Sequence, residues 1–165
     1  TLVNYALLGL ASGFTLATAL AAFAAPPLVA SYGVLALLLT ALGWLSRALS
    51  LARNARLKPK STLQSAIGIR HPKIAQRAMG FMGGSFNTRE FFHGKSAGAL
   101  RRVKWVFLLG AFALPLLLLS GGLAGGAPAL LVLAFVVQYL GLLAERWFFF
   151  AQANHPQNLY YQAVS

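Results

Sequence analysis

The sequence predicts an all-α, polytopic membrane protein whose four transmembrane helices form two hairpins joined by a long basic loop. Three observations predict it. The 165 residues are 58% hydrophobic and 10% charged, where a soluble domain is roughly 45–50% apolar and about 25% charged. Residues 1–46 and 105–144 carry no charge at all. Charge is also lopsided: 14 Lys+Arg face 2 Asp+Glu, and 13 of those 14 basic residues lie between Arg47 and Lys104.

The first apolar stretch breaks at Pro26-Pro27, where two backbone donors are missing and a helix cannot continue. Its pieces, about residues 5–24 and 28–46, have the length that crosses a bilayer core as a helix. Residues 1–46 thus read as one transmembrane hairpin. The first segment lacks a charged start and a small-residue cleavage site, so it reads as a span and not a signal peptide. On it Gly9, Gly13, Ala17 and Ala21 recur at a spacing that favours close helix approach in lipid. The second apolar stretch divides at Gly121-Gly122-Leu-Ala-Gly125-Gly126, and Pro128 suits the first turn of the next helix. It yields helices at about 104–120 and 128–150, with a kink expected at Pro115. A tail, 151–165, follows.

Residues 47–103 form the basic loop. The positive-inside rule places it in the cytoplasm, and counting crossings puts the tail on the same side. Within it Ile74, Ala78, Phe81 and Met82 share one helical face, which predicts a short interfacial helix over about 73–82. Gly83-Gly84 ends it. Arg70, Lys73 and Arg77, with Phe86 and Phe91, are candidates for docking lipid or a partner. Anionic lipid explains much of the charge. A nucleic-acid binder carries a polar body beneath its basic patch, and this chain does not.

The composition excludes several chemistries. Cys and Asp are absent, which removes disulfides, thiolate clusters and Ser/His/Asp catalysis. His71, His93 and His155 all lie outside the apolar spans, so no buried His pair is available for haem. No H-E-x-x-H motif or carboxylate group suggests a metal. The chain by itself reads as non-catalytic and without a metal.

Both acidic residues sit beside an arginine, as Arg89-Glu90 and Glu145-Arg146. Glu145 lies some 26 Å along the last helix at about 1.5 Å per residue, near the cytoplasmic boundary but beneath the headgroups. An ionisable residue at that depth is a functional candidate. The plainer alternative is a Glu–Arg device that ends the span and snorkels. The loop string Phe86-Asn-Thr-Arg-Glu-Phe-Phe-His-Gly94 has too many aromatics to float free. It is expected to pack into the mouth of the bundle, where Arg89 pairs with Glu145 or Glu90 with Arg146. Trp147, Tyr160 and Tyr161 suit the interfacial belt. Arg89, Glu90, His93, Glu145, Arg146 and His155 are therefore the candidate site. Aromatics beside Arg, Glu and His suit a quinone: its ring is oily, its carbonyls need donors, and its redox step moves two protons. A phospholipid headgroup also fits.

Three strings carry a resemblance. Gln64-Ser-Ala-Ile-Gly-Ile-Arg-His71-Pro, Gly80-Phe-Met-Gly-Gly-Ser-Phe-Asn-Thr-Arg-Glu-Phe-Phe-His-Gly94 and Ala144-Glu-Arg-Trp-Phe-Phe-Phe-Ala-Gln-Ala-Asn-His-Pro-Gln-Asn-Leu-Tyr-Tyr161 resemble the membrane anchor subunit of the dimethyl sulfoxide reductase family, in its C-terminal half. The resemblance implies a haem-free anchor in the bacterial cytoplasmic (inner) membrane. It implies two partners, a molybdopterin catalytic subunit and an iron–sulfur electron-transfer subunit. It further implies menaquinol or ubiquinol as substrate, with electrons passed to the iron–sulfur partner. The alternatives are a purely structural anchor that docks those subunits and a small-solute transporter. The transporter needs polar groups along its path, and Thr15, Thr18, Thr40 and Gln138 are the few available.

Overall fold

A computed structural model describes residues 2–58, 62, 64–65, 68–71 and 96–152. Among these, every regular element is a helix: α1 Leu2–Ala24, a 3-10 turn Pro26–Leu28, α2 Val29–Arg56, α3 Ala97–Leu108, a π turn Leu109–Ala113, α4 Leu114–Gly125 and α5 Pro128–Ala151. Four stretches among the described residues are long and apolar enough to cross a membrane: Leu2–Ala24, Pro26–Arg56, Gly98–Gly125 and Pro128–Ala151. These are the four spans expected. The expected interfacial helix at 73–82 lies outside the described residues.

The turns form where the punctuation residues stand. At Pro26-Pro27 the Ala25 N–H donates to the Ala21 carbonyl and the Leu28 N–H to that of Ala25, each at 2.9 Å. At the other hairpin Gly126 takes φ +57, and its N–H and that of Ala127 both bond the Gly122 carbonyl. This left-handed cap satisfies the carbonyl orphaned at the helix end, and glycine adopts it without a Cβ clash. The helix therefore runs through Gly121-Gly122 and stops at Gly125, beyond the expected end at 120. It also starts earlier than 104, at Ala97, where Ser96 Oγ accepts from the Ala99 N–H at 3.3 Å. An N-cap of this kind satisfies one of the free N–H groups. The second helix likewise outruns its expected end at 46 and continues to Arg56. Arg53 and Arg56 in its last turn complement the negative end of the helix dipole.

By packing, the chain divides into two units: Thr1–Arg56 with Val103–Glu145, and Leu57–Arg102 with Arg146–Ser165. The first unit is the bundle. Its buried positions on α2 are Gly33, Ala36, Thr40, Gly43 and Arg47. Those on α5 are residues 131, 134, 138, 141 and 145. Both follow the alternating three-and-four spacing of left-handed bundles, in which helices cross at about 20°. Leu8, Ala11, Thr15 and Thr18 continue the pattern on α1. Lipid supplies no hydrophobic force between helices, so close van der Waals packing must hold them. Small residues permit it: a Cβ added at Gly33 falls 2.6 Å from Leu123 Cδ2, and one at Gly122 falls 2.6 Å from Leu131 Cδ2. Each leucine fills the notch that a glycine leaves. Leucines such as Leu38, Leu117 and Leu140 cover the outside.

The small-residue stripe on α1 does not behave as one surface. Ala21 is buried, but a Cβ added at Gly9 or Gly13 meets nothing within 4 Å. The packed face of α1 is that of Leu8, Ala11, Thr15 and Thr18, and Gly9 and Gly13 lie to its side.

Where a kink is expected at Pro115, the structure has a π turn just before the proline. Proline has no N–H for the carbonyl four residues back, which is Ala111, and its ring crowds that carbonyl. The chain widens there: Leu114 donates to Leu109, one residue further back than in an α-helix. The widened backbone seats against Gly141 of α5, where an added Cβ would strike Ala111 N and Gly110 C.

Candidate functional site

Among the described residues six polar side chains are buried, and two of them answer to their own helix. Thr15 Oγ1 donates to the Ala11 carbonyl at 2.9 Å and Thr18 Oγ1 to that of Phe14 at 2.7 Å. A hydroxyl so engaged carries no demand on its neighbours. The remaining buried polar groups form two rungs between α2 and α5.

The first rung is Gln138 against Thr40. Gln138 Nε2 donates to Thr40 Oγ1 at 3.1 Å and lies 3.5 Å from the Ala111 carbonyl. That carbonyl lies four residues before Pro115, which has no N–H to offer it, and the side-chain amide points a donor at it. The amide orientation follows from this contact, because a carbonyl only accepts. Gln138 Oε1 is buried and accepts no hydrogen bond among the described residues.

The second rung is Glu145 against Arg47. Arg47 Nε stands 2.8 Å from Glu145 Oε1, and the two side chains are 3% and 4% exposed. The guanidinium also lies over the Phe107 ring, 5.5 Å from its centroid, a cation–π arrangement that strengthens when desolvated. The rungs are separated by two helical turns on each strand of the seam, about 10 Å at 1.5 Å per residue. Their partners differ by the same 98 positions in sequence. The repeated offset means that α2 and α5 run parallel and in register. Both helices thus end on one side, as crossing parity requires.

A third polar group caps the same end of the bundle. Asn4 Nδ2 donates to Ser50 Oγ at 3.0 Å, and Ser46 Oγ donates to Asn4 Oδ1. Asn4, Ser46, Arg47, Ser50 and Glu145 together make one end of the apolar bundle polar and charged. A buried charge pair there has a high desolvation cost that its mutual attraction only partly offsets.

The six candidate site residues fare differently. Glu145 is buried in the ion pair. Arg146 is half-buried, with its guanidinium 5.5 Å from the centroid of the Phe149 ring. Arg89, Glu90, His93 and His155 lie outside the described residues, as do Lys73, Arg77, Phe86 and Phe91 among the docking candidates. Arg70 is described and exposed. The pairings expected of Arg89 and Glu90 fall on the same undescribed segment. The residue that sequence reasoning missed is Arg47. In the sequence it reads as the first basic residue of the loop, whereas α2 carries it inside the bundle. A signal for it existed: Thr40 and Arg47 are seven apart, as are Gln138 and Glu145. No group of three His, Cys, Asp or Glu among the described residues is arranged to hold a metal.

The chain is 53% identical over 165 residues to a sulfite dehydrogenase subunit of Allochromatium vinosum. The alignment takes in all of this chain and 51% of that protein, so the chain spans about half the length of the curated relative it matches. No model of a protein family matches the chain. No solved structure matches it either.

Proposed function

We propose that this chain is part of the membrane subunit of an oxidoreductase complex of a bacterial inner membrane, and that it exchanges electrons and protons with the quinone pool at the polar end of its bundle. The observation that carries the reading is the 53% identity to a sulfite dehydrogenase subunit, which runs through all four spans. Brought to this chain, that name sets a direction. Sulfite and water give sulfate, two protons and two electrons; a quinone that takes up two electrons and two protons leaves as quinol. The resemblance to dimethyl sulfoxide reductase anchors implies the opposite flow, from menaquinol or ubiquinol to an acceptor. The likeness over the whole chain favours quinone reduction.

The partners in this reading are a molybdopterin catalytic subunit and an iron–sulfur subunit that relays electrons to the membrane. The bundle's part is to hold the headgroup where lipid meets water. Arg146 donates to a quinone carbonyl, and Glu145 hands on protons with His155. Arg89, Glu90 and His93 belong to the same proposed site. The reading suits a bundle whose lipid-facing surface is apolar and whose described ionic groups sit at its end.

The test uses the intact complex purified through a tag on this protein. Sulfite-driven reduction of a short-chain quinone is measured per assembled complex, alongside reduction of a water-soluble artificial acceptor. Glu145→Gln is expected to lower the quinone rate by about 10²-fold, the scale of a lost proton-transfer group. Arg146→Gln is expected to raise KM for quinone. Wild-type quinone kinetics in both variants would sink the reading. Loop variants that lose assembly while quinone reduction persists per complex would favour a purely structural anchor.

A further inference from the structure

We propose that Arg47 is a positioning residue for quinone chemistry: it fixes the Glu145 carboxylate in the place from which that group exchanges protons, without touching the quinone itself. The inference rests on the quinone reading above and adds to it a residue of another helix.

Three observations support it. Arg47 is held on two sides, by Glu145 Oε1 at 2.8 Å and by the Phe107 ring at 5.5 Å. A guanidinium is planar and can meet a carboxylate and an aromatic face at once, with less freedom lost per contact than a lysine ammonium on its flexible stem. Phe107 is itself fully buried, which leaves the platform little freedom. Second, register does not require the pair. The Thr40–Gln138 rung already joins α2 to α5 at the same offset with neutral groups. Third, packing does not explain it. An apolar pair of similar volume is often as stable as a buried ion pair or more so, and the adjoining seam positions are Gly43 and residue 141, a glycine. A buried charge pair that neither register nor packing requires calls for a chemical role. Proton exchange supplies one, because a carboxylate misplaced by about 1 Å can cost 10²-fold in rate.

Rates in the intact complex are again taken per assembled complex. Arg47→Lys keeps the charge but replaces the planar guanidinium by a compact ammonium on a flexible stem. It is expected to lower kcat for a short-chain quinone about tenfold with KM within about twofold, because the headgroup's own donors are untouched. Phe107→Leu, which removes the ring and keeps the ion pair, is expected to lower kcat less than Arg47→Lys. A purely structural arginine predicts a different result: less assembled complex, with wild-type kcat in what remains. That result would overturn the proposal while leaving the quinone reading intact, provided Glu145→Gln is impaired. Should Arg47→Gln fail to assemble, Arg47→Gln/Glu145→Gln removes both charges together. A double variant that assembles and reduces quinone at the wild-type rate would overturn both the positioning role and the role of Glu145. A wild-type rate in Glu145→Gln alone would do the same.

Discussion

Glu145 is costly to bury, and Arg47 offsets much of that cost. The side chains are 3–4% exposed, so neither is hydrated as an ordinary surface ion is. Stability should therefore respond asymmetrically. Arg47→Met, which removes one partner, is expected to destabilise the detergent-solubilised protein by about 3–5 kcal/mol. Arg47→Met/Glu145→Met should recover most of that loss, and thermal unfolding in detergent checks both. Equal destabilisation by the single and double variants would show that the pair does not set the cost. Sequence reasoning reaches Glu145 because it is one of only two acidic residues in the chain. It does not reach the partner. Arg47 follows forty-six uncharged residues and precedes a basic run, which in one dimension is the pattern of a loop boundary. Only the depth of α2 in the bundle distinguishes a buried countercharge from the first residue of a loop.

Among the elements, the π turn Leu109–Ala113 gathers several otherwise separate residues into one device. Pro115 has no N–H to offer the Ala111 carbonyl, Gln138 faces that carbonyl at 3.5 Å, and the absent side chain of Gly141 leaves room for the widened backbone. Gly141→Ala should be severe, because the added methyl meets the backbone of Gly110 and Ala111 and nothing there can turn aside. Gly33→Ala should be milder, since its obstacle is the flexible end of Leu123. Overpacking of this kind costs typically about 1–3 kcal/mol, so Gly141→Ala is placed at or above the top of that range and Gly33→Ala near its bottom. Unfolding midpoints of the two variants give the order, and the reverse order would contradict the geometry. Gln138→Leu should cost about 0.6 kcal/mol, the average for hydrogen bonds between membrane helices. That Pro115 disturbs its helix is legible in the sequence, though not that a π turn absorbs the disturbance. That a glycine and a glutamine of another helix accommodate it is not legible either, because those contacts join residues far apart in the chain.

For the whole molecule, the parallel register of α2 and α5 makes a topological prediction. Both hairpins must enter and leave the membrane from one side. The chain has no cysteine of its own, so single cysteines report cleanly. Lys58→Cys and Gln152→Cys should react with an impermeant maleimide from the same face, and Ala24→Cys and Gly125→Cys from the other. Labelling of Lys58→Cys and Gln152→Cys from opposite faces would break the register that the two rungs define.

The sequence by itself determined that this chain is four apolar helices in two hairpins, with turns at Pro26-Pro27 and within the glycine-rich run 121–126; the structure moved the second turn to its last two glycines. Those features depend on local properties: the length of uncharged runs, the missing N–H of proline and the backbone freedom of glycine. The tertiary structure alone decided which faces of the helices meet, that Gly9 and Gly13 stay outside, and that Arg47 belongs to Glu145. Those outcomes depend on a three-and-four spacing brought into phase across 98 residues, and on a desolvation energy that exists only once two helices have closed around the charges.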